Sequence, residues 1–342
     1  VRIIETKDFT DRQWKRYYEL RRRLAQRAGS SLESGNWWIL KRRTLREMKE
    51  LTDYRCAILE KRNDLAGYTF VHTIAKGTPD EHVRWLFDAS LDKFSPGLTK
   101  RIARWVLSQY PLGTYTILGS YEKRNDAFAR ALGGRVAGRR HYFTLKVKDV
   151  KRTLMDSWIH EGKERSGNLR LRFFDSIPEK YLEEYCVLFT RLLREMPRGS
   201  AAWLPVIKPE RIRKQQRMNR KSDSVSYTCI LFDGKGGIVG HTNVFIRRKK
   251  PNIAFQFMTG VSKEYRGRGL GRWMKAAMFR RLVKDFPQLE EIRTDTNPQN
   301  RWMIAINDQM GYRYSHSLKE FKIREKGLRA VLNERAQKRL FD

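Results

Sequence analysis

A repeated strand–turn–strand signature constrains this chain more than any other feature. Tyr54-Arg-Cys56-Ala-Ile58-Leu59 is followed by a turn and then Gly67-Tyr-Thr69. Tyr227-Thr-Cys229-Ile230-Leu231-Phe232 is followed by a turn and then Gly240-His-Thr242. The offset is 227 − 54 = 173 for the first anchor and 240 − 67 = 173 for the second. Both stretches read as β-hairpins, turning through Lys61-Arg-Asn-Asp64 and Asp233-Gly-Lys-Gly-Gly237. The surroundings repeat in the same order. Each half opens on a short strand, Arg2 to Ile4 or Leu169 to Phe174, and continues into a helical pattern, Trp14-Tyr17-Tyr18-Leu24 or Tyr181-Tyr185-Leu188-Leu192. Past the hairpin come a basic helix ending near Pro111 or Pro287 and a strand, Thr114–Leu118 or Glu291–Thr294. A helix then closes on Leu132-Gly133 or Met310-Gly311, and a last strand follows, His141–Val147 or Lys319–Ile323. The order β-α-β-β-β-α-β-α-β, met twice, implies duplication of one α/β unit. The polar stretch Lys148 to Asn168 reads as the join.

Length agrees, since 342 residues favour two domains at roughly 150 residues each. Hydrophobic residues make up 40%, enough to bury two cores, which excludes a disordered basic tail. Cys56, Cys186 and Cys229 are too widely spaced for a zinc cluster and read as small buried residues. A reducing, cytoplasmic setting is therefore expected. Val1 to Lys7 carries no apolar signal-peptide core, and no stretch approaches the ~20 apolar residues of a membrane span. Lys and Arg exceed Asp and Glu by 72 − 38 = 34. Clusters at Arg21–Arg23, Lys41–Arg43, Arg211–Lys221 and Arg247–Lys250 read as solvated faces or as a footprint for an anionic partner such as nucleic acid.

Chemistry concentrates between Ala254 and Lys284. Ala254–Met258 reads as a buried strand that runs through Thr259-Gly260-Val261 into Arg266-Gly267-Arg268-Gly269-Leu270-Gly271. A helix follows, with Met274, Ala277, Met278 and Leu282 on one face and Arg272, Lys275 and Lys284 outside it. A glycine-rich turn opening a helix presents backbone N–H groups and a positive helix end to phosphate. The spacing is neither that of a dinucleotide-binding strand–turn nor that of a Walker loop, and a purely structural turn is the alternative. Downstream, Asn300, Met303, Asn307 and Met310 fall on one helical face before Gly311-Tyr312.

These residues resemble the GCN5-related N-acetyltransferases, the GNAT family, over about Leu169 to Ile323. Arg266–Gly271 is similar to the family's Gln/Arg-x-x-Gly-x-Gly/Ala motif, which holds the pyrophosphate of acetyl-coenzyme A. The resemblance implies two tandem α/β domains, each a mixed, mostly antiparallel central sheet flanked by helices. They are expected at residues 1–150, degenerate, and 165–342, with the acetyl-CoA motif. It further implies acetyl-CoA as cofactor and an amine as acceptor. The implied coenzyme contacts come from Met258, Thr259, Gly260, Val261, Arg266, Gly267, Arg268, Gly269, Leu270, Gly271, Arg272, Asn300 and Met303. Backbone N–H groups near Met258–Val261 would take the thioester carbonyl. In the family a Tyr seven residues after the Asn often protonates the departing thiolate. Asn307 stands there instead, either facing the sulfur or as a packing amide, and an amide does not supply a proton as a phenol does. Asp295 and Glu195 are the candidate bases, with ordinary surface carboxylates as the alternative.

The first half departs from the pattern, since Lys93-Phe-Ser-Pro-Gly97-Leu-Thr99 has one glycine and a proline that lacks an N–H. The whole chain is similar to tandem members of the family, mycothiol synthase being the familiar type, whose substrate does not carry over. The loop Met196 to Ser224, with Trp203, is expected to bind substrate or to lie free on the surface. His141, His160 and His316 sit on polar stretches without a catalytic partner, and no metal-ligand spacing occurs. The alternative to an N-acetyltransferase is a non-catalytic protein of the same fold that binds nucleic acid or a protein.

Overall fold

The computed structural model describes residues 2–27, 37–50, 55–61, 64–74, 82–89, 96–109, 114–118, 123–197, 206–221 and 224–333. The first half of the chain forms β1 (Arg2–Glu5), α1 (Asp11–Arg27), α2 (Trp37–Glu50), β2 (Arg55–Lys61), β3 (Asp64–Ile74), β4 (His82–Ala89), α3 (Pro96–Gln109), β5 (Thr114–Leu118), α4 (Lys123–Ala131) and β6 (Arg135–Lys146). After α5 (Arg152–Ser166) the same sequence of elements returns as β7 (Arg170–Phe174), α6 (Glu179–Glu195), α7 (Pro209–Lys221), β8 (Ser224–Phe232), β9 (Ile238–Arg247) and β10 (Lys250–Val261). It continues through α8 (Leu270–Asp285), β11 (Glu291–Thr296), α9 (Arg301–Met310), β12 (Arg313–Arg324) and α10 (Glu325–Leu332). Both hairpins form as expected, Leu59 opposite Gly67 and Leu231 opposite Gly240. Among the described residues, each repeat holds two helices more than its sequence suggested, α2 and α5 in the first and α7 and α10 in the second. Of these, α2 and α7 follow the first helix of their half. Helix α7 falls inside the expected loop Met196 to Ser224, whose Trp203 and Pro205 lie outside the described residues.

Two compact units result, and they divide the chain differently from 1–150 and 165–342. One takes residues up to Arg140 and from His316 onward; the other takes the described residues between His141 and Ser315. The reason is an exchange of last strands. In the first unit the strands run β1-β2-β3-β4-β5-β12, and in the second β7-β8-β9-β10-β11-β6. Within each, β4/β5 and β10/β11 are parallel and the remaining pairs described are antiparallel. β12 of the second half lies against β5, Glu320 opposite Leu118, and β6 of the first half lies against β11, Leu145 opposite Ile292. Without these partners β5 and β11 would each expose a row of backbone donors and acceptors.

The helix behind each exchanged strand travels with it. Leu328 and Val331 of α10 join Ile102, Val106 and Phe128 in the first unit's core. Met155 and Trp158 of α5 join Phe279, Leu282 and Ile292 in the second. The stretch Lys148 to Asn168 is thus a packed helix and not a join. Gly162 of α5 sits against Trp273 so closely that a Cβ would come within 2.3 Å of the indole. In the second unit strand alternation splits β8 between two layers. Tyr227 and Cys229 face the α8 side, whereas Ile230 and Phe232 pack with Tyr185, Leu188 and Leu192 of α6. All three cysteines are buried, and none is in a disulfide.

Candidate active site

β10 and β11 pair from Ile253/Glu291 to Gln256/Thr294. Beyond that point β10 spends three residues, Gln256 to Thr259, where β9 spends two, Val244 to Thr242. This β-bulge bends β10 and ends its pairing with β11, while its pairing with β9 continues to Val261. Thr259–Val261 and Asp295–Thr296 become the two sides of a gap at the carboxyl ends of parallel strands, where open α/β sheets bind ligands. α8 leaves one side of the gap and α9 the other.

The turn into α8 has the geometry that its glycines require. Gly267 and Gly269 have φ of 80° and 76°, in the left-handed region that side chains avoid. A Cβ on Gly267 would meet nothing within 4 Å, so open space faces the turn. Gly269 is the residue that starts α8, and no side chain caps it. The free N–H groups of the first turn therefore point outward, where an anion gains most. Of the three arginines expected there, Arg266 is otherwise engaged: its Nε donates to Val261 O at 3.0 Å and its guanidinium pairs with Glu195. Arg268 and Arg272 lie over Tyr265 and Trp158, and together with Gly269 they line a recess completed by Glu161 and Arg165 of α5. Trp158 and Arg165 carry no sequence signal for such a site, because the polar stretch that holds them reads as a join between the two halves. A wider recess of about 610 Å³ opens on the other side of Arg268, bounded by Arg191, Asp233, Ser262 and Tyr265.

A buried polar chain runs behind the gap. Gln256 Nε2 donates to Thr242 Oγ1 at 2.7 Å and to Thr259 Oγ1 at 3.3 Å. Tyr312 donates its hydroxyl to Gln256 Oε1 at 3.4 Å, and Lys275 Nζ lies 4.9 Å from the centre of the Tyr312 ring. Lys275 then donates to Asn307 Oδ1 at 2.7 Å. The sequence placed Lys275 on the outer face of α8, but it is only 2% exposed. α8 is covered by α5 on one side and joined to α9 on another, so its buried surface is wider than the apolar stripe. Burial disfavours the ammonium and pulls its pKa down to about 7. Asn307 is fully buried, and its Nδ2 has no hydrogen-bond partner among the described residues.

The other expected residues are placed as follows. Asn300 caps α9, its Oδ1 accepting from Met303 N at 3.2 Å. Leu270 is buried under the turn, and Gly271 lies beside Ile306 of α9. Met258 N–H already donates to Asn243 Oδ1 at 3.1 Å, and Gly260, opposite His241, stands in the same hydrogen-bonded alternation as Ser262, whose N–H donates to Val239 O; the expected carbonyl donors left are Thr259 and Val261. Gly260 has Leu192 of α6 at its back, 2.9 Å from where a Cβ would stand. Asp295, half-buried on β11 opposite Tyr142, borders the gap, whereas Glu195 is held by Arg266. His241, opposite Gly260 on β9, gave no sequence signal beyond strand alternation. It is fully buried, its Nδ1 lies 3.0 Å from Tyr185 Oη, and burial keeps the ring neutral, its pKa pushed down to about 3.

In the first unit α3 begins directly on Pro96-Gly97, and Gly97 does not take the left-handed conformation. Lys93 to Ser95 lie outside the described residues.

The acetyltransferase (GNAT) family profile matches residues 189–312. A curated relative, L-2,4-diaminobutyric acid acetyltransferase of Virgibacillus pantothenticus, is 33% identical over 78 residues, 23% of this chain. The chain spans about half the length of that relative, 48%. A tandem GNAT protein from the clavulanic acid biosynthesis pathway superposes with TM-score 0.69 at 15% identity, over 95% of this chain and 98% of that one. A GCN5-related N-acetyltransferase from Sphaerobacter thermophilus gives 0.65 at 11% identity, over 95% of both chains. At these identities the two structures speak for the fold alone.

Proposed function

We propose, from a chain whose residues 189–312 match the acetyltransferase (GNAT) family profile, that its second unit transfers the acetyl group of acetyl-coenzyme A to a primary amine. The observation that carries this reading is the uncapped start of α8 behind two left-handed glycines, at the mouth of the β10/β11 gap. The residues present fit the coenzyme: open space at Gly267 for the pyrophosphate, Arg268, Arg272 and Arg165 for its charge, and a buried unpartnered donor on Asn307.

The coenzyme supplies an acetyl group activated as a thioester. The chain's own residues do the rest. The N–H groups of Gly267 to Gly271 and the helix end hold the pyrophosphate. Asn300 and Met303, at the start of α9, border the arm that leads from it. Backbone N–H groups of Thr259 and Val261 would face the charge that develops on the carbonyl oxygen, the role in which preorganised donors contribute most. Asp295, on the opposite lip, is the carboxylate placed to take the amine's proton. The curated relative's name makes small diamino acids the first acceptors to try.

The test is release of free thiol from acetyl-coenzyme A with a panel of amines, beginning with L-2,4-diaminobutyric acid and extending to diamines and lysine peptides. Saturable, amine-dependent release is expected. No thiol release with any amine of the panel, despite tight coenzyme binding, would leave a non-catalytic binding protein as the better reading.

A further inference from the structure

Among the described residues, the Asn307 amide is a buried group with one end satisfied and the other not. Its orientation is fixed by its neighbour. Lys275 Nζ carries N–H groups as ammonium and as amine, and one of them donates to the carbonyl oxygen of the amide at 2.7 Å. Both N–H groups of Nδ2 are thereby turned away from Lys275, with nothing to receive them. A buried donor left unmade is costly, and an acceptor that arrives with a ligand relieves that cost.

The acceptor's place follows from what the bridge connects. Lys275 and Asn307 join α8 to α9, the two helices that leave the two sides of the gap. Through Tyr312 and Gln256 the same polar chain reaches Thr259 at the bulge. It therefore meets the acetyl end of the gap and not the phosphate end at Gly267–Gly269. We propose that Lys275 is a positioning residue, which by donating to Asn307 Oδ1 holds both N–H groups of the amide toward the sulfur of bound coenzyme A. The inference rests on the coenzyme reading given above.

In the transfer step the amine nitrogen bonds to the acetyl carbon, the C–S bond breaks, and its electron pair stays on sulfur. The amine's proton passes to Asp295 or solvent, and the sulfur regains a proton from solvent after transfer. Asn307 moves no proton and stabilises the anion by donation alone. An anionic sulfur on the N–H side of the amide also favours the charged form of Lys275 on its oxygen side. The groups facing the ammonium, the Asn307 carbonyl and the Tyr312 ring, both accommodate that charge.

Titrating the thiol of bound coenzyme A by its thiolate ultraviolet absorbance tests the proposal without any acceptor. In the native complex the thiol should ionise about one pKa unit lower than in Asn307→Leu or Lys275→Met, as expected when donors to the charged form are removed. Coenzyme affinity should stay within about threefold in both variants, far less than the tenfold that 1.4 kcal/mol represents. Asn307→Asp keeps a partner for Lys275 but loses the donors. It should raise the thiol pKa too, which preserves the test if Asn307→Leu does not fold. A thiol pKa the same in native protein and folded variants overturns the proposal, and so does a shift in Asn307→Leu with none in Lys275→Met. Failure of native protein to bind coenzyme A overturns the coenzyme reading instead.

Discussion

Gly269→Val is expected to abolish coenzyme binding while leaving most of the fold in place. At φ 76° a β-branched residue is strained by roughly 1–2 kcal/mol. That lowers the melting temperature by a few degrees and leaves most of a typical stability of about 5–15 kcal/mol. The effect on binding is larger. The valine would stand in front of the N–H groups that hold the pyrophosphate. Losing two charge-assisted hydrogen bonds, at about 1.5–3 kcal/mol each, corresponds to at least a 100-fold loss of affinity. Circular dichroism would check the fold and calorimetry the affinity. Unchanged affinity in a folded variant would mean that the turn serves backbone geometry alone.

The second large effect concerns where the chain can be cut. The exchange of last strands predicts that a fragment of residues 141–315 folds and binds coenzyme A, while 165–342 does not fold. The longer-numbered fragment keeps the whole motif region but discards Phe143, Leu145, Val147, Val150, Met155 and Trp158 from the core of its own unit. At about 1.5–3 kcal/mol for each buried side chain, those six are worth roughly 9–18 kcal/mol. That equals or exceeds the whole stability of an ordinary domain, about 5–15 kcal/mol. It would also leave β11 without a partner along its edge. Thermal melting of the two fragments decides the matter. A cooperative transition in 165–342 close to that of the intact protein would contradict the exchange.

What the sequence showed and what it hid have physical reasons. The hairpins were legible because alternation and turn glycines are local signals, and the phosphate turn was legible because left-handed glycines have few substitutes. The duplication was legible through spacing alone. The exchange was not, because nothing local in β6 or β12 states which parallel pair it will flank. α5 was read as a join because charged residues outnumber apolar ones between Arg152 and Ser166, although Met155, Trp158 and Gly162 are buried. Lys275 misled for a similar reason. Lysine on a helix ordinarily faces water, and only the later elements Asn307 and Tyr312 make a buried position tolerable. His241 was overlooked because a histidine in strand alternation looks like any inward residue until Tyr185 and Gly260 are placed beside it.

One calorimetric titration of the intact chain with coenzyme A bears on the central claim most directly. The second unit has Gly267 and Gly269 in the left-handed conformation at an uncapped helix start, whereas the first unit begins α3 on Pro96-Gly97. A single binding site per chain is predicted, lost in Gly269→Val. No binding, or two equivalent sites, would contradict the account.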